Sequence, residues 1–242
     1  MKMVLDTHTH SIVSGHAYNT MKEMIEAARK KGLEGIALTE HAPNMMGTTG
    51  LFYFMNSYVV PDVIDGVRVF MGAELNILDE TGRVDLPDSV CEKLDLNIAS
   101  IHMPKGCYEA SKGIVLNTQA YVNAMKHSFV NIIGHPDDSR FPVDLDTIVA
   151  AAKEHHVLVE LNNSSLNPAG YRENAMENQV KIIELCKKYN TSVSLGSDAH
   201  IDLDVGNFSR IIPLLEANEF PEELIANTSM ERLLAYINVG KN

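Results

Sequence analysis

The sequence has few cysteines and few positive charges. Its three cysteines, Cys91, Cys107 and Cys186, are scattered without Cys-x-x-Cys spacing, which argues against a disulfide framework and against a thiolate zinc site. Lysine and arginine together number 20 against 32 acidic residues, and the formal net charge is -12 with the 10 histidines counted as neutral. Because a protein that binds nucleic acid through its phosphates needs an excess of basic residues, we expect no nucleic-acid partner.

Long hydrophobic runs are also missing. No apolar run exceeds five residues, whereas a membrane-spanning helix needs about 20. Asp6 and His8 follow a short apolar start, which leaves no room for the roughly 7–15-residue apolar stretch of a signal peptide. We therefore expect a cytoplasmic protein with no membrane partner. No linker-like composition or run of like charge divides the chain, so residues 1–242 are predicted to form a single domain.

Short apolar, β-branched segments alternate with amphipathic ones along the chain. This pattern is typical of βα units around a parallel sheet, and the length is compatible with one α/β barrel domain. Seven strands are predicted, at residues 3–6, 35–39, 67–73, 96–100, 131–134, 157–161 and 192–196. Helices are predicted at 21–31, 145–154 and 178–188, with a closing helix that begins at Thr228 or Ser229. Segment 42–61 has no clear period and is predicted to be a long functional loop.

Most of the histidines follow predicted strands. His8 and His10 are two residues apart, so they share one face of the first strand, and Asp198 and His200 repeat this spacing after the last strand. The carboxyl ends of parallel barrel strands lie on one rim, where barrel enzymes place their active sites, so polar residues at these ends are expected to converge. The residues in question are His8, His10, His16, His41, Glu74, His102, His135, Asp198 and His200.

Any one of these histidines alone would more often be a structural residue than a metal ligand. Seven imidazoles on one rim are different, because without a metal they would be costly to bury and would repel one another when protonated. With about three protein ligands per catalytic ion, the nine side chains would serve two or three divalent metals. Zinc, manganese and iron all accept such ligands. Glu74 is the natural bridge, because its apolar neighbours would bury an unpaired carboxylate at considerable cost.

Nine short motifs carry a resemblance to a known family. Six of them resemble the ordered motifs of the polymerase and histidinol phosphatase (PHP) domain family: Asp6-Thr7-His8-Thr9-His10-Ser11, Thr39-Glu40-His41, Gly72-Ala73-Glu74, Ser100-Ile101-His102, Gly134-His135-Pro136 and Gly196-Ser197-Asp198-Ala199-His200. The other three resemble, more closely, the bacterial stand-alone trinuclear-zinc phosphatases of this family: Ser14-Gly15-His16-Ala17-Tyr18, Asn117-Thr118-Gln119-Ala120 and Leu161-Asn162-Asn163-Ser164-Ser165. The resemblance covers nearly the whole chain. It implies a distorted seven-stranded (β/α)7 TIM-like barrel and a metal-dependent phosphatase acting on phosphate monoesters.

The resemblance also implies how the ligands are shared among three ions, with zinc first. His8, His10 and Asp198 would hold the first ion, His16, His41 and His200 the second, and His102 and His135 the third, with Glu74 bridging the first and third. The attacking hydroxide would be held on the metals near Glu74, Asp198 and His8. The family usually has Thr-Asp-His where this chain has Thr39-Glu40-His41. The extra methylene of Glu40 bears on how the neighbouring ligands are oriented, not on His41 as the ligand.

The predicted partner is a small phosphorylated metabolite, and an oligomer is compatible with the sequence. Lys105, Arg140 and Arg172 lie in or near predicted strand-following loops and could grip the substrate phosphate, although single surface cations are most often only solvated. Arg140 is the first candidate because it follows the His135-Pro136 turn.

Three alternatives stay open. Histidinol phosphate is one substrate that the family allows. An amidohydrolase-type hydrolase also begins with His-x-His at the end of its first strand, but many such sites use a modified lysine as the bridge, and no lysine here ends a middle strand. A non-catalytic metal-binding accessory domain, as found in DNA polymerases, would need a basic surface that this acidic chain lacks.

Overall fold

The computed structural model describes residues 1–237, in which eight strands form one sheet. The strands are β1 (Leu5–Thr9), β2 (Gly35–His41), β3 (Val63–Ile64), β4 (Val67–Asn76), β5 (Leu96–Ser100), β6 (Ile132–Ile133), β7 (Leu158–Asn162) and β8 (Val193–Gly196). Seven of them are parallel in the order β1-β2-β4-β5-β6-β7-β8, and β3 pairs antiparallel with β4. Because β1 also contacts β8, the sheet is a nearly closed barrel. The predicted fold class is confirmed.

Helices that pack against the sheet connect most of the strands. In the described part of the chain they are α1 (Met21–Lys30), α2 (Leu51–Met55), α3 (Asp88–Cys91), α4 (Ile114–Ala124), α5 (Leu145–His155), α6 (Ala175–Tyr189), α7 (Ile211–Ala217) and α8 (Met230–Leu234). Helix α1 begins where Thr20 and Glu23 form a reciprocal capping box, and it is followed by Gly32 with a φ of 72°. The left-handed conformation of this glycine turns the chain into β2.

The two longest strands of the sheet run further than the sequence pattern predicts. Strand β2 ends at His41 instead of residue 39, and β4 ends at Asn76 instead of residue 73. Backbone pairing continues through the polar residues Glu40 and Glu74 because ladder hydrogen bonds do not depend on side-chain polarity. His41 and Glu74 are therefore direct partners in the parallel register, held by strands and not by loops.

Helices α2, α3, α4 and α7 are not predicted by the sequence pattern. Helix α2 lies inside segment 42–61, which is otherwise irregular. Helix α4 has no apolar stripe, since Asn117 and Thr118 are on its buried side while Val115 is exposed. Polar residues can face inward there because Asn117 donates a hydrogen bond to the Pro142 carbonyl and Thr118 donates one to the Ile114 carbonyl.

Apolar side chains from both faces of the sheet form the core. Leu5, Ile36 and Leu96 are fully buried, and all three cysteines are buried free thiols, in line with the argument against disulfides. None of the helices within residues 1–237 has the length and apolar character needed to span a bilayer.

The side chain of Asn227 closes the lower part of the seam between β1 and β8. Its Nδ2 donates hydrogen bonds to the carbonyls of Leu5 (3.0 Å) and Leu195 (2.8 Å), and its Oδ1 accepts one from the Leu195 N–H (2.7 Å). Asn227 is fully buried. It therefore takes the place of the ladder hydrogen bonds that two adjacent strands would otherwise make.

We predict that Asn227→Ala destabilises the fold by roughly 3 kcal/mol, because it leaves buried backbone groups on both strands without partners. Chemical denaturation followed by far-UV circular dichroism measures this. The matched control is Asn218→Ala, because Asn218 is half-buried at a helix end and its side chain makes a single hydrogen bond, to the Leu214 carbonyl. Equal midpoints for the two variants would contradict the role given to Asn227.

Candidate metal centre

All nine predicted metal ligands lie at the carboxyl-terminal end of the barrel. Strands β1, β2 and β4 carry His8, His41 and Glu74, and the segments that follow strands supply His10, His16, His102, His135, Asp198 and His200. Neighbouring imidazole rings lie close together, with centroids separated by between 4.2 Å, for His10 and His41, and 6.3 Å, for His8 and His135. The fold thus brings together side chains that are far apart in sequence.

His8, His10 and Asp198 form one group of facing ligand atoms. The Nε2 atoms of His8 and His10 are 3.0 Å apart. Asp198 Oδ1 lies 3.7 Å from His8 Nε2 and 3.4 Å from His10 Nε2, and Glu74 Oε2 lies 3.5 Å from both nitrogens. All four side chains are buried, so their donor atoms face one another and not solvent. The ligand atoms of His8, His10 and Asp198 all lie within 4.8 Å of one another, a spacing that one cation can bridge.

Glu74 joins this group to a second one. Its Oε1 is 2.9 Å from His135 Nε2 and 3.2 Å from His102 Nε2, while its Oε2 is 2.7 Å from His41 Nδ1. Burial raises the pKa of Glu74, but the nearby imidazoles, His102 first among them, outweigh this and hold the pKa well below its ordinary value. The bridging carboxylate is therefore an anion with donor atoms on both of its sides.

Two buried atoms of this cluster have no hydrogen-bond partner, namely His41 Nδ1 and Glu74 Oε2. They approach each other to 2.7 Å without the geometry of a hydrogen bond. An unpartnered buried polar atom costs about 1–3 kcal/mol, and a divalent cation beside these atoms would satisfy both. Imidazole nitrogens and carboxylate oxygens are the donors that zinc and related ions use in proteins. The residues present therefore fit a metal centre.

His16, His41 and His200 form the outer part of the cluster. His16 Nε2 lies 3.0 Å from His200 Nε2, and the His16 and His41 rings are stacked with centroids 4.9 Å apart. Burial, followed by the charges of His41 and His200, lowers the pKa of His16 to about 4. The His16 imidazole is thus neutral at pH 7, the form that can donate a lone pair to a metal.

Glu160 on β7 orients two of these histidines, and the sequence prediction did not include it. Its Oε1 accepts a hydrogen bond from His8 Nδ1 at 2.6 Å, and its Oε2 accepts one from the His135 backbone N–H at 2.8 Å. A proton held on Nδ1 leaves His8 Nε2 free to bind metal. Gly196 leaves the space for this contact, since a Cβ there would lie 2.0 Å from Glu160 Oε1. The signal in the sequence is one carboxylate inside the apolar run 157–161.

Ser14 and Glu40 orient His10 in the same way. Ser14 Oγ accepts from His10 Nδ1 at 3.0 Å and from the His41 backbone N–H at 3.0 Å, and it donates to Glu40 Oε2 at 2.6 Å. The other oxygen of Glu40 accepts a hydrogen bond from the Ser11 hydroxyl. The longer side chain of Glu40 therefore reaches both serines of the first loop and acts on His10 through Ser14.

Two further side chains hold ligands by their outer atoms. Asn76 Oδ1 accepts from His102 Nδ1 at 2.8 Å, which fixes the ring with Nε2 toward Glu74. Arg172 Nη2 donates to Asp198 Oδ2 at 3.1 Å, which leaves Asp198 Oδ1 facing the histidines.

The backbone at His135 and Asp198 is in the left-handed region, with φ values of 30° and 54°. Such values are uncommon for residues other than glycine and gather at functional sites when the surroundings stabilise them. Here the His135 N–H donates to Glu160, and the Asp198 N–H donates to the His8 carbonyl. The tight turns therefore aim both ligands into the centre.

Comparison with known proteins identifies the family. Residues 6–238 match the PHP domain. This chain belongs to the PHP domain family. It is 42% identical over 241 residues to a probable phosphatase of Thermoanaerobacter sp. strain X514, covering 100% of this chain and 97% of the relative. It is 43% identical over 246 residues to a probable phosphatase of Caldicellulosiruptor saccharolyticus, covering 100% and 99% of the two chains. The family predicted from the motifs is confirmed.

A solved structure with the same fold is that of histidinol phosphate phosphatase from Lactococcus lactis, complexed with zinc, L-histidinol and phosphate. It superposes with a TM-score of 0.64 over 97% of this chain and 98% of that one, at 19% sequence identity. A crystal structure from Listeria monocytogenes, described as a putative histidinol phosphatase, gives a TM-score of 0.60 and covers 84% of this chain and 98% of that one, at 19% identity. At this identity the likeness supports the fold alone.

A cavity of about 410 Å³ opens above the histidine cluster of the PHP domain. Arg140 and Arg172, two of the three cations predicted to grip phosphate, line it. Lys105 is exposed and is not among the lining residues. Both arginines already have carboxylate partners, since Arg140 forms an ion pair with Asp138 at 2.6 Å and Arg172 forms one with Asp198.

We predict that Glu160→Gln weakens zinc binding by about 10–100-fold, because it weakens the hydrogen bond that fixes the His8 tautomer. Competition with a chromogenic chelator measures the affinity. Glu154→Gln, an exposed position on α5, is the matched control and should bind zinc like the parent protein. If Glu160→Gln binds zinc as tightly as the control, the positioning role of Glu160 is wrong.

Proposed function

We propose that this PHP protein is a phosphatase that hydrolyses phosphate monoesters at a centre of two or three divalent ions. The observation that carries the proposal is the cluster of seven histidines around the buried Glu74 carboxylate, four of them buried, with one atom of His41 and one of Glu74 left without hydrogen-bond partners. The names of the relatives, probable phosphatases that align along nearly their whole length, support the same reaction class.

The proposed ligand sets are those that the family resemblance implies. In the structure the ligand atoms of the first set lie within 4.8 Å of one another, and those of His41 come equally close to His10 and His200 and to Glu74 and His102. His8, His10 and Asp198 would hold one ion, and His16, His41 and His200 a second. His102 and His135 would hold a third, with Glu74 shared between the first and third. Such ions neutralise phosphoryl oxygens and lower the pKa of a bound water, which supplies the nucleophile at neutral pH.

In the proposal, side chains next to the ligands hold the imidazole rings in the orientation needed to bind metal. Glu160, Ser14 and Asn76 each hold the outer nitrogen of an imidazole, so that its Nε2 points inward. Arg172 acts in the proposal by holding Asp198, while Arg140 lines the cavity and is itself held by Asp138. No serine or cysteine nucleophile is required, because water activated at such a centre would be the nucleophile.

Zinc is the first candidate for the metal. Histidine-rich sites with few carboxylates bind zinc, iron and manganese, and availability decides among them in the cell. Elemental analysis of the purified protein identifies the bound ion.

Glu74→Gln and His8→Ala are both predicted to lower kcat/KM for phosphate monoesters by about 10³-fold or more, since each removes a ligand of the proposed centre. Steady-state release of inorganic phosphate measures this, and circular dichroism confirms that the variants are folded. Glu184→Gln, exposed on α6, is the control. Undiminished turnover in the Glu74 or His8 variant would refute the assignment.

Substrate panels separate the remaining alternatives. A zinc-loaded preparation should hydrolyse phosphate monoesters and leave carboxamides and lactones intact. Cleavage of amides or lactones only would favour the amidohydrolase alternative, and no turnover of any ester by fully metallated protein would favour the accessory domain. Histidinol phosphate belongs in the panel as the specific substrate that the family resemblance suggests.

A further inference from the structure

The cavity above the metal centre is far larger than a phosphoryl group. Its floor is the histidine cluster, and its volume of about 410 Å³ lies within the usual range for sites that enclose a whole small molecule. The wall beyond the floor is formed mainly by Met45, Met46, Ile101, Met103, Pro104 and Tyr171. Whatever group leaves with the ester oxygen must lie against this wall.

The charges on the wall neutralise one another. Arg140 Nε and Nη2 both donate to the Asp138 carboxylate, at distances between 2.6 Å and 3.1 Å. The guanidinium of Arg140 also lies over the Tyr171 ring, 4.5 Å from its centroid, and its Nη1 faces the Met103 sulfur. A leaving group with a second phosphate or a carboxylate therefore has to compete with Asp138 for this cation. The arginine serves instead as a rigid support for the wall.

Half of the apolar wall is exposed to solvent, whereas Met45 and Ile101 in it are buried. Met46 and Tyr171 have 80% and 70% of their surface accessible to solvent, and Met103 has 49%. Exposed apolar residues that gather at the mouth of a pocket mark a binding surface. Methionine is flexible and polarisable, so three methionines can adapt to ligands of different shape.

We infer that the preferred substrates are monoesters whose leaving group is an uncharged apolar or aromatic alcohol, seated against the wall formed by Met45, Met46, Met103 and Tyr171. This inference rests on the proposed phosphatase function and deepens it. In the hydrolysis, water attacks phosphorus, the P–O bond to the alcohol breaks, and a proton from the water passes to the alcohol oxygen, so that the products are the free alcohol and inorganic phosphate. The wall contributes only contact with the alcohol.

The first experiment compares esters of primary alcohols, so that the bond broken is chemically similar in each. Zinc-loaded protein is expected to show a kcat/KM at least about tenfold higher for benzyl phosphate and n-hexyl phosphate than for glycerol 3-phosphate and ribose 5-phosphate. Equal values, or a preference for the sugar and glycerol esters, would overturn the inference.

A binding measurement distinguishes failure of this inference from failure of the proposed function. Benzylphosphonate, which cannot be hydrolysed, is expected to bind at least about tenfold more tightly than methylphosphonate in calorimetry on zinc-loaded protein. If it does so while no ester is turned over, the wall assignment stands and the phosphatase proposal fails. If the two phosphonates bind equally, the wall assignment fails whatever the turnover.

Substitutions on the wall test the residues themselves. Met46→Gln keeps the length of the side chain but makes it polar, and it is expected to lower the ratio of benzyl phosphate to glycerol 3-phosphate kcat/KM severalfold. Met176→Gln is the matched control, because Met176 is 45% exposed on α6 and does not line the cavity. A ratio unchanged by Met46→Gln, or lowered equally by Met176→Gln, would count against the inference.

Discussion

Glu74 places a carboxylate at the carboxyl-terminal end of the barrel, below the cavity, where only 1% of its surface reaches solvent. An isolated charge at such a depth would cost several kcal/mol, so neighbouring elements must supply groups that stabilise it. The parallel barrel does this by turning the carboxyl ends of its strands toward one point, where five imidazoles come within 3.5 Å of the two Glu74 oxygens. The position of the histidines, and the need for cations among them, both follow from this buried carboxylate.

Side chains that surround the candidate metal ligands fix the orientation of those ligands by hydrogen bonds. An imidazole could turn either nitrogen toward the centre. For three of the five inner imidazoles a hydrogen bond at the outer nitrogen sets the choice, from Glu160 for His8, Ser14 for His10 and Asn76 for His102. These contacts also link the ligands to the backbone, because Glu160 holds the His135 amide and Ser14 holds the His41 amide. The centre is thus oriented before a metal or substrate arrives, while the neutral wall above it leaves the choice of alcohol to apolar contact.

Much of this could be predicted from the sequence, for a physical reason. The alternation of strands and helices fixes where strands end, and the two-residue period of a strand puts His8 and His10 on one face. What could not be predicted depends on contacts between distant segments. Asn227 contacts Leu5, which is 222 positions away in the sequence. Glu160 is one charged residue in an apolar strand, and its role becomes visible only from its hydrogen bond with His8. Helix α4 could not be predicted from an apolar pattern because its polar residues face inward. The ion pair of Arg172 with Asp198 could not be predicted either, because Arg172 lies in a loop that has no regular hydrophobic pattern.

The most direct test is a crystal structure of the zinc-loaded protein with anomalous diffraction recorded on both sides of the zinc absorption edge, together with elemental analysis of the same sample. The account predicts two or three anomalous peaks inside the histidine cluster, with Glu74 contacting at least two of the ions when three are bound. Protein that carries no metal after loading, or metal bound only outside this cluster, would contradict it.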